Sequence, residues 1–407
     1  MKCRLCAAPI TRTFVDLGTA PPSNAYLEAA DLDRPEKYFP LRVKVCDVCF
    51  LVQTEDFADA HELFTARYGY FSSTSSSWLA HAEKFVAEAV ARFGLDGNSL
   101  VTEVAANDGY LLQYVKARNI PCLGIEPTES TAAAAREKGL EIVGAFLTEE
   151  LGRKLAKEGR QADLVVANNV LAHVPDIKDF ARGLAQLTKP EGVVSVEFQH
   201  LLRLVEGAQF DTIYHEHFSY LSLIAVARLF SDAGLRVIDV SEIPTHGGSL
   251  RVFAAHDGSH HEPTADAQRV LDLERSSGVA TGGYYDAFQP RAEAIKDGLL
   301  AYLIKAKQDG LRVAAHGAAA KGNTLLNFAG VRPDLLAMVA DGSPGKVGRF
   351  MPGSRIPIVR VADLLAARPD RILILPWNIA DELVAQLAEA RSWGAKFVTA
   401  VPEIREF

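Results

Sequence analysis

Short apolar runs alternate with helical stretches from residue 99 onward, at the spacing of a parallel α/β sheet. The first runs are SLVTEVAA, CLGIEP, EIVGAF, ADLVVANNV and GVVSVEFQ. Two β-rich runs, RVIDVSEI and SLRVFAAH, follow them and predict a late antiparallel pair. In an open α/β sheet, ligands bind in the crevice beyond the carboxyl ends of the strands. The fold class is therefore predicted to be α/β, with functional residues at those strand ends.

A second α/β pattern follows the first. Amphipathic helices are predicted from about residue 264 to residue 309. The runs LRVAAHGAAAKG, LLAMVADG, PIVRVADLL, RILILPW and AKFVTAVPE then alternate with further helical stretches. Ahead of the first sheet, residues 61–95 are predicted to be helical, with a stop at Gly94. The predicted domains are a cysteine-bearing module (1–60), a first Rossmann-like domain (61–262) and a second one (263–407).

Composition excludes several classes of protein. With 407 residues, 48% of them apolar and 23% charged, the chain has ample surface to bury in two or three folded domains. The net charge is −8 and no segment concentrates Lys or Arg, which argues against a nucleic-acid partner. No apolar run approaches the roughly 20 residues that span a bilayer, so no membrane partner is predicted. The start, MKCRLCAAPITRTF, lacks the apolar region of a signal peptide, which predicts a cytoplasmic protein.

Four of the five cysteines form two C-x-x-C pairs within the first 50 residues. Each pair can present two thiolates to one ion, and two such knuckles give the tetrahedral four-sulfur set that zinc prefers. The gap between the pairs exceeds that of a zinc ribbon, so we expect an insertion at PPSNAYLEAADLDRPEKYFP. A redox pair and chance are the alternatives. The predicted ligands of a closed, structural Zn²⁺ are Cys3, Cys6, Cys46 and Cys49, whereas Cys122 is predicted to be a core thiol.

The turn after the first strand of the α/β pattern carries a cofactor signal. The strand LVTEVAA runs into Asn107, Asp108 and Gly109, where a helix begins, and the next strand ends at Glu126. An acidic residue at that second strand end can accept hydrogen bonds from both ribose hydroxyls of a nucleotide cofactor. The turn has one glycine instead of the G-x-G-x-x-G that brings backbone against a pyrophosphate, and Glu103 adds another negative charge. The pattern therefore favours S-adenosylmethionine over NAD.

The fourth strand ends in a group of amides and an imidazole. Asn168, Asn169 and His173 stand where a strand end borders the crevice, so they can touch the methionine half of the donor or the substrate. The alternative is a helix-capping loop with a solvent-facing histidine.

The densest polar cluster is FDTIYHEHFSY, residues 210–220. If a helix begins at Tyr214, that residue and His217 lie on one side of it, and His217 can act as a general base whose tautomer is fixed by Tyr214 or Glu216. Structural packing is one alternative. Metal binding is another, but H-E-H is not the H-E-x-x-H spacing that places two imidazoles on one face.

Two glycine-rich turns complete the set of candidate sites. Residues 245–251, THGGSLR, predict a turn that brings His246 near a substrate, or else a plain hairpin turn. Residues 316–324, HGAAAKGNT, follow a strand and open a helix, which makes a diphosphate cradle with Lys321 and Asn323. Beside a methyl-donor site, this cradle suggests a substrate that bears a nucleotide.

The ordered motifs of the whole chain resemble one family, the S-adenosylmethionine-dependent C-methyltransferases of nucleotide-linked 4-keto-deoxysugars. The resemblance rests on CRLC, DLGTAPPSNAYL, CDVC, YGYFSSTSSS, EVAANDGYLL, GIEP, NNVLAHVPD, FDTIYHEHFSYLS, THGGSLRV and GAAAKGNTLLNF. It implies a zinc-bearing N-terminal module, a central class I methyltransferase domain, and a C-terminal Rossmann-like domain that helps hold the sugar nucleotide. The chain departs from the family at AANDG, where Gly or Ser more often precedes Asn-Asp-Gly.

The resemblance also implies roles for residues. His217 is the implied general base, with Tyr214 and Glu216 beside it and His173 near the donor. A further segment, implied to close over the cofactor, contributes Tyr68, Tyr70 and Ser73.

The predicted activity is methylation of a carbon, with C3 preferred, in a nucleotide-linked 4-keto-deoxysugar. A base removes the proton beside the ketone, and the enolate carbon then takes the methyl group. The alternatives are methylation at C5, a small-molecule O-methyltransferase, and a zinc-anchored binding protein without activity. The sequence does not decide the oligomeric state, and a monomer is compatible with it.

Overall fold

The computed structural model describes residues 1–57 and 71–407. The described strands are β1 (Thr13–Ala20), β2 (Phe39–Val45), β3 (Val52–Thr54), β4 (Val101–Val104), β5 (Cys122–Ile125), β6 (Ile142–Val143), β7 (Ala162–Asn168), β8 (Thr188–Gln199), β9 (Ser219–Tyr220), β10 (Leu235–Ile243), β11 (Ser249–His256), β12 (Val313–His316), β13 (Val339–Ala340), β14 (Ile358–Val359), β15 (Arg371–Ile374), β16 (Lys396–Thr399) and β17 (Arg405–Glu406).

The described helices are α1 (Ser76–Phe93), α2 (Leu112–Lys116), α3 (Glu129–Glu137), α4 (Glu149–Lys157), α5 (Ile177–Leu187), α6 (Leu201–Glu206), α7 (Leu223–Ser231), α8 (Ala265–Ser277), α9 (Phe288–Gln308), α10 (Ala320–Phe328), α11 (Val361–Ala367) and α12 (Ala380–Gln386). Helix α1 ends as predicted at Gly94, whose φ of 62° is the left-handed conformation that glycine adopts without steric cost. No helix in the described part of the chain is long and apolar enough to cross a membrane.

The central sheet has the order β10-β11-β8-β7-β4-β5-β6. Strands β4 to β8 pair in parallel, as their spacing predicts, because each is followed by a helix that returns the chain to the same edge. The predicted antiparallel pair is confirmed: β11 runs antiparallel to both β10 and β8, between which it lies. The carboxyl ends of β4, β5, β7 and β8 therefore share one edge of the sheet.

The C-terminal sheet has the order β14-β13-β12-β15-β16-β17. All its pairs are parallel except that of β17 with β16. The chain leaves β12 for β13 on one side and later returns to β15 on the other side of β12. Such a reversal is where open α/β sheets bind ligands, and here it lies at the carboxyl ends of β12 and β15.

The N-terminal sheet has the order β1-β2-β3-β9. Its last strand comes from far along the chain, since Val52 and Gln53 pair with Tyr220 and Ser219. Strand β9 directly follows the FDTIYHEHF segment. The cysteine-bearing module therefore holds the carboxyl end of that segment by backbone hydrogen bonds.

The residues between β1 and β2, 21–38, form the predicted insertion and dock on the C-terminal domain. The backbones of Leu27 and Phe350 exchange hydrogen bonds of 3.0 and 2.8 Å. The Glu36 carboxylate accepts from the backbone amide of Gly353 at 2.7 Å. The insertion therefore ties the first 57 residues to the last domain as well as to the central one.

One hydrophobic core spans the N-terminal and C-terminal sheets. The rings of Phe14 on β1 and Phe288 on α9 stack with centroids 4.2 Å apart, and each is 1% exposed. The same cluster includes Phe210 and Leu326, from the polar segment and from α10. Full burial of one such side chain contributes about 1.5–3 kcal/mol, so this core fixes the polar segment against the C-terminal domain.

Candidate active site and metal centre

The two C-x-x-C pairs form one cluster in the structure. The Sγ atoms of Cys3 and Cys49 are 3.4 Å apart, those of Cys6 and Cys46 are 3.5 Å apart, and all four lie within 4.8 Å of one another. Ligands about 2.3 Å from one tetrahedral ion have separations of this size, so the four sulfurs fit zinc.

Each pair is shaped by the same local turn. The amide of Ala7 donates to the Cys3 carbonyl and that of Phe50 to the Cys46 carbonyl, both at 2.9 Å. Ala7 and Phe50 have φ values of 60° and 57°, a costly left-handed conformation for non-glycine residues that surrounding structure must hold in place. Nε2 of Gln53 donates to Sγ of Cys3 at 3.3 Å, which is an outer-shell contact to a ligand atom.

The turn after β4 has a backbone that few residues tolerate. Ala105, Asn107 and Gly109 have φ values of 54°, 50° and 76°. At Gly109 a side chain would be strained by the positive φ, and its Cβ atom would also displace Cδ1 of Leu140, 2.2 Å away. The two carboxylate oxygens of Glu126, on the neighbouring strand end, accept from the amides of Asn107 and Thr128 at 2.9 and 2.8 Å. Glu126 therefore holds the turn in shape.

Acidic side chains are concentrated around this turn, as the sequence predicts. Glu103 is 1% exposed, and its Oε2 atom is buried without a hydrogen-bond partner among the described residues. Burial, with the nearby carboxylates of Glu126 and Asp108, raises the pKa of Glu103 well above its ordinary value. A buried, underpaired acid beside two others fits a cationic ligand group such as the ammonium of S-adenosylmethionine.

The segment that precedes α1 closes over the turn. The amide of Ser72 donates to Oδ1 of Asn107 at 2.9 Å, and the hydroxyl of Ser73 donates to the carboxylate of Asp108. Tyr68 and Tyr70, the other residues predicted there, lie outside the described residues.

Two side-chain amides at the end of β7 each have an atom without a hydrogen-bond partner in the described structure. The Oδ1 atom of Asn168 and the Nδ2 atom of Asn169 are buried and have no partner within residues 1–57 and 71–407. Asn169 adopts a φ of 55°, and its backbone amide donates to the Glu197 carbonyl at 2.6 Å. Orphaned polar atoms at the crevice edge fit a polar ligand, as predicted for this strand end.

His217 is partly exposed at the centre of the polar segment. Its Nδ1–H donates to the backbone carbonyl of Thr212 at 2.9 Å, which leaves Nε2 as the basic nitrogen. Residues 214–217 form a turn, so the helix considered at Tyr214 is absent, and the tautomer is fixed by Thr212 instead of by Tyr214 or Glu216. That earlier expectation was wrong because a backbone carbonyl leaves no mark in the sequence.

Aromatic rings and charges crowd His217. The ring centroids of Tyr214 and His173 lie 3.9 and 4.6 Å from that of His217. Nδ1 of His173 is 2.9 Å from the Glu216 carbonyl, and desolvation lowers the pKa of His173 to about 4. Desolvation, His173, His246 and Lys321 together hold the pKa of His217 well below its ordinary value. Both imidazoles are therefore neutral at pH 7.

The Glu216 carboxylate is bound by the insertion. Both of its carboxylate oxygens accept from Nδ2 of Asn24, at 2.8 and 2.9 Å. Burial raises the pKa of Glu216 to about 7, against the effect of the Asn24 amide. Asn24, in the insertion, is therefore the hydrogen-bond donor to the buried Glu216 carboxylate, next to His217 in the chain.

The C-terminal domain contributes Lys321, whose charge acts on both His217 and His246. Nζ of Lys321 donates to Oδ1 of Asn378 at 2.9 Å and lies 4.8 Å from the ring centroid of Trp377. Desolvation lowers the pKa of Lys321 to about 8, opposed by the charge of Asp211. His246, with a φ of 56°, faces Trp78 at 5.4 Å and has its pKa lowered to about 4 by desolvation and by Lys321.

Asn323 is two residues from Lys321 but bonds to a different part of the protein. It is 1% exposed, and its Nδ2 donates to the backbone carbonyl of Ser23 in the insertion. In this structure the side chain joins the C-terminal domain to the N-terminal one, and a contact with substrate stays a prediction.

A buried charge network was missed by the sequence analysis. Glu197, at the end of β8, accepts from Arg251 at 2.9 Å, lies 2.9 Å from Nε2 of His81 and accepts from the Thr245 hydroxyl at 3.3 Å. Burial opposes ionisation, but His81 and Arg251 lower the pKa of Glu197. The network links α1 to the turn that carries His246. The signal was a charged residue, Glu197, inside the otherwise apolar run GVVSVEFQ.

Comparisons with known proteins agree with this arrangement. Family models match residues 3–64 (described as "Putative zinc binding domain"), 78–240 (methyltransferase domain) and 244–402 (C-methyltransferase C-terminal domain). The C-methyltransferase NovU of Streptomyces niveus is 34% identical over 404 residues, covering 99% of this chain and 96% of NovU.

Two further matches cover smaller parts of the chain. The ubiquinone biosynthesis O-methyltransferase of Salmonella paratyphi A is 27% identical over 139 residues, 34% of this chain and 51% of that enzyme. Magnesium protoporphyrin IX methyltransferase of Synechocystis with bound S-adenosylmethionine is 17% identical, covers 44% of this chain and 79% of its own, and has a TM-score of 0.34. The full-length match, the three family models and the four-cysteine cluster show that this chain belongs to the S-adenosylmethionine-dependent C-methyltransferases with an N-terminal zinc-binding domain.

Proposed function

We propose that the enzyme methylates C3 of a nucleotide-linked 4-keto-deoxysugar after His217 removes the proton from that carbon. The observation that carries the proposal is the tautomer of His217. Its Nδ1–H is engaged by the Thr212 carbonyl, so the basic Nε2 atom of this partly exposed residue is left to accept a proton from substrate. A methyltransferase that acts on a hydroxyl oxygen needs no base aimed at carbon.

The proton transfer forms an N–H bond at His217 and breaks the C–H bond beside the ketone. The Nε2 lone pair takes the proton from the carbon beside the ketone, and the C–H pair becomes the enolate. S-Adenosylmethionine, when bound, supplies an electrophilic methyl group to that carbon. General base catalysis of this type contributes about 10²–10⁴-fold in rate.

The chain offers two sets of residues for the donor. Glu126, which holds the turn after β4, would accept from ribose hydroxyls. Glu103, Asp108 and the orphaned amides at the end of β7 would bind the methionine ammonium and carboxylate. Tyr68 and Tyr70 remain part of the proposed cofactor site, as do Ser73, Asn107 and Gly109.

The C-terminal domain would hold the nucleotide part of the substrate. Lys321 stands at the start of α10, at the carboxyl end of β12, and its charge is close enough to affect both His217 and His246. A diphosphate beside Lys321 would place the attached sugar near the base. Within this proposal the domain boundaries stay at residues 60/61 and 262/263.

The deciding experiment incubates the purified enzyme with S-adenosylmethionine and a panel of dTDP-, GDP- and CDP-4-keto sugars. NMR of the product distinguishes C3 from C5, and catechol and phenol acceptors test O-methylation. Deuterium exchange in D₂O with S-adenosylhomocysteine isolates the proton transfer. We expect exchange at C3 with wild type and none with His217→Asn.

The matched control is His215→Asn. His215 lies in the same turn, but its Nε2 faces the Phe39 carbonyl at 3.3 Å, so an amide can replace it without removing the base. If His217→Asn exchanged deuterium at the wild-type rate, His217 would not be the base. Methylation of the phenolic acceptors alone would refute the sugar substrate.

A further inference from the structure

The segment that carries the base is held from both sides by the C-terminal domain. Nε1–H of Trp377 donates to Oδ2 of Asp211 at 2.7 Å. The hydroxyl of Thr324, on α10, donates to the backbone carbonyl of Ile213 at 2.8 Å. Thr212, whose carbonyl fixes the tautomer of His217, stands between these two anchored residues.

Apart from the bond to His217, the other hydrogen bonds that the described structure gives residues 211–213 are local. The Thr212 hydroxyl donates to the Gln209 carbonyl at 2.8 Å, and the Ile213 amide donates to the Phe210 carbonyl at 3.0 Å. Bonds within one turn do not fix where the whole turn sits relative to His217. The side chains of Trp377 and Thr324 come from other elements and therefore can.

Burial makes both contacts hard to replace. Asp211 is 0% exposed and Thr324 is 2% exposed, so water cannot readily take the place of a lost partner. Trp377 is further fixed on its other side, where a Cβ atom at Gly247 would stand 2.5 Å from its Cη2 atom.

We propose that Trp377 and Thr324 are positioning residues for the general base. By holding Asp211 and Ile213, they keep the Thr212 carbonyl on Nδ1–H of His217 and so keep Nε2 free and directed at the substrate. The inference rests on the proposed function of His217. It assigns the C-terminal domain a part in proton abstraction as well as in substrate binding.

Two conservative pairs of variants test the proposal. Trp377→Phe removes the indole N–H, and its control is Trp393→Phe, because Nε1 of Trp393 donates to the Pro369 carbonyl at 3.0 Å in the same domain. Thr324→Val removes the hydroxyl at nearly constant volume, whereas Thr324→Ser keeps it.

A base displaced by about 1 Å loses up to about 10²-fold in rate, so Trp377→Phe and Thr324→Val should lower kcat and deuterium exchange by about tenfold to 10²-fold. KM for the sugar nucleotide should change by less than about twofold, because no binding contact is removed. Trp393→Phe and Thr324→Ser should behave like wild type. Equal kcat and exchange in Trp377→Phe, Thr324→Val and their controls would overturn the proposal.

A second readout does not depend on the substrate. In protein labelled with ¹⁵N-histidine, the signals of His217, assigned by their loss in His217→Asn, report which ring nitrogen carries the proton. Wild type should show the Nδ1–H form, and Trp377→Phe and Thr324→Val should show a mixture of tautomers. An unchanged Nδ1–H signal in both variants refutes the positioning role. A panel in which wild type exchanges no deuterium at all would instead refute the proposed function.

Discussion

Replacement of Glu126 by alanine should weaken binding of the methyl donor and loosen the turn after β4. In the structure each carboxylate oxygen already accepts one backbone amide, from Asn107 at 2.9 Å and from Thr128 at 2.8 Å. Each oxygen keeps a further lone pair for a ribose hydroxyl. The variant therefore removes the proposed ribose acceptor and leaves two backbone amides without their partner, one in the turn after β4 and one after β5.

The size of the effect follows from the charge of the acceptor. A hydrogen bond to a charged group contributes about 1.5–3 kcal/mol, and about 1.4 kcal/mol is a tenfold change in Kd. Loss of the ribose contact should raise Kd for S-adenosylhomocysteine about tenfold to 150-fold. Glu126→Gln, which keeps one acceptor oxygen, should fall between alanine and wild type.

Calorimetric titration with S-adenosylhomocysteine measures this prediction. The control is Glu129→Ala, because the Glu129 side chain is 79% exposed and is paired with Arg136 on the surface. Its Kd should equal that of wild type. If Glu126→Ala bound the ligand as tightly as Glu129→Ala, the assignment of the ribose site to the end of β5 would be wrong.

Three further perturbations have expected outcomes. Metal analysis should find about one zinc per chain, which Cys46→Ser should lose and replacement of the fifth cysteine should retain. Lys321→Met removes a charge that lowers the pKa of His217, so the acid limb of the kcat/KM profile should move to higher pH; an unmoved limb contradicts this. Burial raises the pKa of Glu216 from 4.5 to about 7, so between these pH values the folded state binds a proton that the unfolded state has lost. The free energy of unfolding therefore falls as pH rises from 4.5 to about 7. Asn24→Leu should extend that fall above pH 7, measured as the difference in Tm between pH 6 and pH 8.5; equal differences in variant and wild type would refute it.

Sequence periodicity was enough to predict the two α/β sheets. Every predicted run contains a strand of the structure, because parallel strands covered by helices on both faces must be apolar along their length. The four-cysteine cluster was predictable because two C-x-x-C pairs supply the four thiolates that a tetrahedral zinc site takes. The carboxylate at the end of β5 could be located because strand ends in such sheets line the ligand crevice.

Contacts made by backbone atoms or by distant elements could not be predicted. The carbonyl of Thr212 would accept from His217 whatever the side chain at position 212, so the residue type carries no signal. Strand β9 consists of Ser219 and Tyr220, too short a run to show the alternation of a strand. Trp377 follows a predicted strand, but its hydrogen bond to Asp211 depends on how two domains pack.

The four-cysteine cluster is linked to His217 through strand β3. Gln53 donates to the sulfur of Cys3 and belongs to β3, the strand that pairs with β9. The next residue, Thr54, donates its hydroxyl to the backbone carbonyl of His217 at 3.1 Å. A metal that fixes the cysteine knuckles therefore fixes β3, and β3 in turn fixes the backbone of the base. The main chain of His217 is therefore held by the N-terminal module, through Thr54. Its imidazole is held by the Thr212 carbonyl, in a turn that the C-terminal domain anchors. Under the proposed mechanism, proton abstraction by His217 therefore requires all three sheets to be assembled, and the methyltransferase domain alone would leave that imidazole without the Thr212 and Thr54 contacts that orient it.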